Sequence, residues 1–261
     1  MAVLPVRAFG TGAPVLVVHG VGLDAVHYTT LANEIAAFAC ALVPDRRGYG
    51  EATSLGAASF AEHVADLADT IDAIGVGPVV WVGVSGGATL GIGALIVDED
   101  QRRIAAALLH EPLLGRLAPA LHQQITAAFE RLAADASADA VVDFMRQLVG
   151  SATWDLIAPT VVDDVRGRAP SLRAELAEFA NVSFSQDQLR ALRGRVIATS
   201  LGSASAPARD EVARILARDA DAEVVVVPGG HFAPSDAPEA IAALVERLVG
   251  ETRALATRTD Q

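Results

Sequence analysis

The sequence predicts an α/β domain: a mostly parallel sheet with helices on both faces and a block of helices inserted into it. Three observations predict it. Short apolar runs that suit buried parallel strands recur along the chain, amphipathic helical patterns alternate with them, and one long interval carries helical patterns alone. The strand runs are Val15–Val18, Ala41–Pro44, Val79–Val82, Ala106–Leu109, Val196–Ser200 and Val224–Val227. Between the second and third, Phe60, Val64, Leu67, Ile71 and Ile74 share one helical face. Ser59 and Glu62 form a capping box at its start, and Gly75 offers a left-handed stop. The last helix is expected over Glu239 to Val249, with Pro238 near its first turn, Gly250 ending it and the polar tail from Glu251 to Gln261 frayed.

The interval from Pro112 to Arg190 breaks the alternation. Leu121, Ile125, Phe129 and Leu132 give one apolar helical face; Val141, Phe144, Met145 and Leu148, ended by Gly150, give a second; Leu172, Leu176 and Phe179 give a third. The expected organisation is a core over residues 1–111 and 191–261, with 112–190 as an inserted helical cap. In such sheets ligands gather at the carboxyl ends of the strands, so function is sought in the loops that follow them.

Composition excludes several chemistries. Of 261 residues, 20 are basic and 32 acidic, a formal charge of −12, and every basic residue is arginine. Without lysine there is no Schiff-base chemistry and no phosphate-binding loop ending in Lys-Ser/Thr. An acidic chain with 5% aromatic residues makes a poor nucleic-acid binder. A lone Cys40 forms neither an internal disulfide nor a zinc site. The stretch Val76–Val97 carries no charge, yet its glycines (Gly83, Gly86, Gly87, Gly91 and Gly93 among them) and Pro78 break it into strand, turn and helix rather than a membrane span. With no signal-peptide pattern at the N-terminus, a soluble cytoplasmic protein is expected.

The strongest motif is Gly83-Val84-Ser85-Gly86-Gly87, a G-x-S-x-G between a strand and a helical run. That context makes a sharp turn that pushes the serine hydroxyl out above the sheet. A serine needs a base to take its proton, and His231, in Pro228-Gly229-Gly230-His231-Phe232 after the last strand, is placed for it. His63 and His122 fall on helices and His27 follows the first loop. An oxyanion hole needs two backbone N–H groups; Gly86 is one candidate, and Val21, with Gly20 beside it, supplies the other from His19-Gly20-Val21-Gly22. A rival pattern lies in the same loop. Gly20-Val21-Gly22-Leu23-Asp24-Ala25, with Asp45 closing the next strand, imitates a dinucleotide fingerprint, but it leaves Ser85 and His231 unexplained.

With His19-Gly20, Asp45 to Gly50, the Ser85 elbow and His231 in this order, the chain resembles the α/β-hydrolase superfamily over almost its whole length. Most members carry an acid after the strand written here Val196–Ser200; this chain has Leu201 to Pro207 without a carboxylate, and Asp210 is the nearest. Some members place the acid one strand earlier, where this chain has Glu111 in Leu109-His110-Glu111-Pro112. His110-Glu111 is not a zinc motif, since no second histidine follows at the required spacing. The pattern is most similar to lactone hydrolases that open the macrolactone zearalenone. They share a Cys-His-Glu-Leu-Pro-like segment matching Leu109-His110-Glu111-Pro112, a Val-Trp strand like Val80-Trp81-Val82, an acid-free loop like Leu201–Pro207, and a Pro-Gly-x-His-Phe segment matched by Pro228 to Phe232.

The resemblance implies Ser85, Glu111 and His231 as a triad and a serine hydrolase of carboxylic esters, with a small hydrophobic ester or lactone as substrate. No metal, no organic cofactor, no nucleic acid and no membrane enters this expectation. Within the insertion, Phe129, Phe144, Met145, Leu148 and Trp154 are the candidate pocket walls. The alternatives are C–C bond cleavage or other non-esterase chemistry on the same fold, and a binding module that uses no nucleophile.

Overall fold

The apolar runs pair as a single sheet in the computed structural model, which describes residues 2–114, 116–149 and 151–259. Strands β1 (Val6–Phe9), β2 (Pro14–Val18), β3 (Cys40–Pro44), β4 (Val79–Val84), β5 (Ile104–His110), β6 (Val196–Gly202) and β7 (Glu223–Val227) lie in the order β1-β3-β2-β4-β5-β6-β7. Every neighbouring pair is parallel except β1 with β3. All six expected strands are present. The additional β1 is a four-residue, half-buried edge strand, too short and too mixed to stand out as an apolar run. At the centre every residue of β4 is buried, as a strand covered on both faces requires.

Helices α1 (Thr29–Ala36), α2 (Phe60–Ile74) and α3 (Gly86–Val97) connect the first half of the sheet. The α2 termini follow the sequence. Ser59 and Glu62 cap each other's backbone reciprocally, and Gly75 closes the helix at φ 67°. Trp81, fully buried in β4, donates its indole N–H to the Gly87 carbonyl at 3.2 Å and ties the strand to α3. The uncharged stretch at 76–97 is thus β4, a turn and α3, and among the described residues no helix is long and apolar enough to cross a membrane.

Between β5 and β6 run α4 (Pro119–Ala134), α5 (Ala138–Val149), α6 (Ser151–Gly167), α7 (Ala169–Asn181) and α8 (Gln186–Arg190). Three of them carry the expected apolar faces. The fourth, α6, has Pro159 inside it, a residue that breaks a sequence-level helix pattern. After β6 come α9 (Ala208–Ala220), α10 (Ala233–Asp236) and α11 (Pro238–Thr259).

One helix end differs from expectation. Instead of stopping at Gly250 and fraying, α11 continues to Thr259. A mid-helix glycine costs about 1 kcal/mol, and here Arg247 pairs with Glu251 at 3.0 Å across it. The Thr252 hydroxyl also returns to the Val249 carbonyl at 2.9 Å.

Candidate active site

Ser85 stands at the turn from β4 into α3 with φ 54° and ψ −116°. Such a left-handed conformation is costly for a residue with a side chain and persists only where its surroundings fix it. Two glycines make it possible by close approach. A Cβ at Gly83 would lie 2.4 Å from the Gly87 carbonyl oxygen, and one at Gly87 would lie 2.1 Å from that of Val18. The Ser85 N–H donates to the His110 carbonyl at 2.9 Å, which anchors the turn to the end of β5.

The next residue past that carbonyl is Glu111, a second left-handed non-glycine with φ 48°, held by its N–H to Ser200 at 3.0 Å. Its Oε2 accepts the Nδ1–H of His231 at 2.7 Å. Oε1 accepts the Gly202 N–H at 2.9 Å and the Ser205 hydroxyl. The loop that lacks a carboxylate therefore supplies donors to the carboxylate one strand away. Arg209 completes the surroundings: its Nε lies 3.5 Å from Oε2, and its Nη1 donates to the Glu111 carbonyl at 3.3 Å. Asp210, the other candidate acid, sits on the first turn of α9 with its side chain 58% exposed and 3.9 Å from Arg214.

Electrostatics follow from this packing. Burial alone would raise the Glu111 carboxyl, but the His231 hydrogen bond and the charges of His231 and Arg209 outweigh it and hold the group well below its ordinary range. For His231, burial and then the Arg209 charge push the imidazole down to about 4, against the opposing pull of Glu111. With the Nδ1 proton directed at Glu111, Nε2 carries the lone pair. That Nε2 is buried and has no hydrogen-bond partner among the described residues. Behind the pair, His110 Nε2–H donates to the Gly230 carbonyl at 3.3 Å while Nδ1 accepts from the Ser200 hydroxyl at 3.0 Å, which fixes the loop that bears His231.

On the other side of Ser85 lies the loop after β2. Gly20 and Val21 approach closely: a Cβ at Gly20 would lie 3.3 Å from Ser85 Cβ, and one at Gly86 would lie 2.9 Å from Val21 Cγ2. The N–H groups of Gly20 and Gly22 are spent on the Tyr28 and Tyr49 hydroxyls at 3.2 and 3.0 Å. Gly20 is thereby corrected as an oxyanion donor. The Val21 N–H, and that of Gly86 at the start of α3, have no acceptor among the described residues. Fully buried Arg46 locks the loop by donating to the His19 and Gly20 carbonyls at 3.1 and 2.9 Å and to Glu175 of α7 at 2.6 Å. Asp45, the acid of the dinucleotide look-alike, accepts the Ala25 and Glu51 N–H groups at 3.0 and 3.1 Å and so works as a loop fastener.

A cavity opens above Ser85, walled by Val21, Leu113, Leu121, Gln124, Ile125, Phe144, Leu148, Leu176, Ala180 and Arg209. Phe144 and Leu148 are therefore wall residues. Met145 is buried against Gly22 and Trp154 is buried core, so neither lines the cavity. The Phe129 side chain lies outside the described residues. Sequence reasoning missed Arg209, Gly202, Ser205 and the Arg46–Glu175 pair. An isolated arginine in a chain with 20 of them carries no pattern, and a backbone N–H carries none at all.

Solved structures share this architecture. An esterase from Thermogutta terrifontis superposes with a TM-score of 0.76 at 23% identity, covering 95% of this chain and 93% of its own. An N-acyl homoserine lactone degrading enzyme gives 0.73 at 20%, covering 93% and 95%. A meta-cleavage product hydrolase from Pseudomonas fluorescens IP01 gives 0.73 at 16%, covering 94% and 93%. No curated protein matches the sequence. Residues 15–244, which hold Ser85, Glu111, His231 and, but for Pro14, every strand after β1, match the model of the alpha/beta hydrolase family, and the chain belongs to that family.

Proposed function

We propose that the protein is a serine hydrolase of carboxylic esters, with hydrophobic esters or lactones as substrates and residues 112–190 acting as the cap over the site. One observation carries the reading: a buried histidine whose Nε2 lacks a partner is bound through Nδ1 by a carboxylate that stands one strand end from a left-handed serine. Ser85 attacks the acyl carbon while Nε2 of His231 takes its proton and later delivers it to the leaving alkoxide. The Val21 and Gly86 N–H groups receive the oxyanion, and Glu111 fixes the histidine tautomer and offsets its positive charge. Water then enters by the same base and frees the acid. Apolar walls support neutral acyl groups. The likeness to an esterase and to a lactone degrading enzyme supports the ester class. A second reading, C–C bond hydrolysis on the same triad, is favoured by the likeness to the meta-cleavage product hydrolase.

A panel of aryl and alkyl esters, small and macrocyclic lactones, and diketone-like substrates tests the proposal. Esters or lactones are expected to be turned over fastest; a marked preference for the diketones would replace this reading by the second.

The pH profile gives a separate expectation. His231 must be neutral to accept a proton, and its imidazole is held at about 4. The acid limb of kcat/KM, which reports the free enzyme, is therefore expected near pH 4 rather than near 6.5. Stability has the same sign. Between pH 6.5 and about 4 the unfolded chain binds a proton at this histidine that the folded chain does not, so stability falls as pH drops through that window. An acid limb centred on pH 6.5 would contradict the described surroundings of His231.

A further inference from the structure

Among the described residues, Arg209 is the one charged side chain on the wall of the Ser85 cavity. It is 10% exposed, and its guanidinium is only partly used. Nη1 donates to the Glu111 carbonyl and Nε lies beside Oε2. Nη2 has no acceptor among the described residues and is not among the sealed, unpartnered atoms, and the side chain that carries it lines the cavity.

Satisfying Glu111 does not require this arginine. Both carboxylate oxygens already accept from Gly202, Ser205 and His231. The Arg209 charge also weakens the proposed base, because it disfavours protonated His231. A cation that makes the base weaker and leaves a donor open is costly in an apolar pocket unless the ligand uses that donor.

We propose that Arg209 selects the substrate: its free N–H binds an acceptor oxygen carried by the acyl group, so preferred esters or lactones have a second oxygen besides the scissile carboxyl. This deepens the ester-hydrolase reading and rests on it. When a purely hydrocarbon acyl chain fills the cavity, water leaves and the charged N–H is left unpaired. An acyl chain with a carboxylate or keto oxygen at the right distance replaces that water. Sites that hydrogen-bond a substrate group reject analogues lacking it far more strongly than apolar pockets reject a missing methylene. Here, where Glu111 shares the charge, the expected discrimination is about 10- to 100-fold.

The test compares three series of methyl esters matched in chain length: plain alkanoates, oxoalkanoates and monomethyl esters of dicarboxylic acids. In the wild-type protein, kcat/KM for an oxygen-bearing ester at one chain length is expected to exceed that of the matched alkanoate by about 10- to 100-fold. Arg209→Met lowers all rates through its contact with Glu111, so the readout is the ratio, expected to fall to about 1. Arg209→Lys, which keeps a donor and the charge, is expected to retain part of it. A gain shared by keto and carboxylate esters means a neutral acceptor suffices and supports the proposal; a gain restricted to carboxylates supports selection by Arg209 and overturns the neutral acyl group of the reading above. Plain alkanoates being equal or better at every length, or an undiminished ratio in Arg209→Met, would overturn it. Calorimetric binding of the same esters to Ser85→Ala separates the two claims. Arg209-dependent binding preference without hydrolysis by the wild type would leave selection standing and remove the hydrolase reading. Hydrolysis without preference would remove selection alone, and neither hydrolysis nor binding preference would remove both.

Discussion

Changing Ser85 to alanine is expected to lower kcat by roughly 10⁵- to 10⁶-fold while leaving the fold intact. In a well-studied serine protease, removal of the nucleophile costs about 2 × 10⁶, and what remains comes from the oxyanion hole and binding. The expectation of an intact fold has its own basis. The turn is held by the Ser85 N–H to His110 and by Gly83 and Gly87, not by the hydroxyl. Substitutions that remove no packing or hydrogen bond stay within about 0.5 kcal/mol. Circular dichroism and thermal melting check the fold, and ester turnover checks the rate. Turnover within tenfold of wild type would mean that another group attacks the substrate.

The second large effect belongs to the acid. Glu111→Gln is expected to reduce turnover by about 10⁴, or about 5.4 kcal/mol of transition-state stabilisation. Four donors converge on this carboxylate: His231, Gly202, Ser205 and, more distantly, Arg209. An amide accepts through one oxygen only and turns its own N–H groups towards donors. It either leaves a buried donor unpaired or flips the His231 tautomer, which puts a proton on the nitrogen that faces the serine. Asp210→Asn is the control. This exposed residue pairs loosely with Arg214, so its change is expected to leave activity near wild type. If Asp210→Asn is the damaging change and Glu111→Gln is benign, the acid lies on α9 after all.

These assignments also mark where a sequence can be read and where it cannot. The six parallel strands, the α2 capping box and the serine turn are written in neighbouring residues. Periodicity and G-x-S-x-G are short-range patterns that the local backbone obeys. Gly250 misled because a glycine signal says only that a helix is easy to end; the ion pair and hydroxyl cap that carry α11 past it lie on either side. Glu111 stands out in the sequence only because the loop from Leu201 to Pro207 lacks an acid. The donors that hold it, from Gly202, Ser205 and Arg209, sit more than ninety positions away, and no spacing links them. The same holds for Arg46 and Glu175, which join the loop after β3 to α7 across 129 positions and fasten the Gly20–Val21 turn. Among the residues expected as pocket walls, Phe144 and Leu148, which line the cavity, differ from Met145, which does not, only in the direction each takes from one helix. An apolar stripe names all of them alike.

The central claim is that Ser85, activated by His231, forms a covalent bond with an acyl-like electrophile. Intact-protein and peptide mass spectrometry after treatment with a fluorophosphonate tests it most directly. The expected result is a single adduct on Ser85, absent in Ser85→Ala and formed much more slowly in His231→Ala. Equal labelling of Ser85→Ala, or an adduct that maps to another residue, would contradict it.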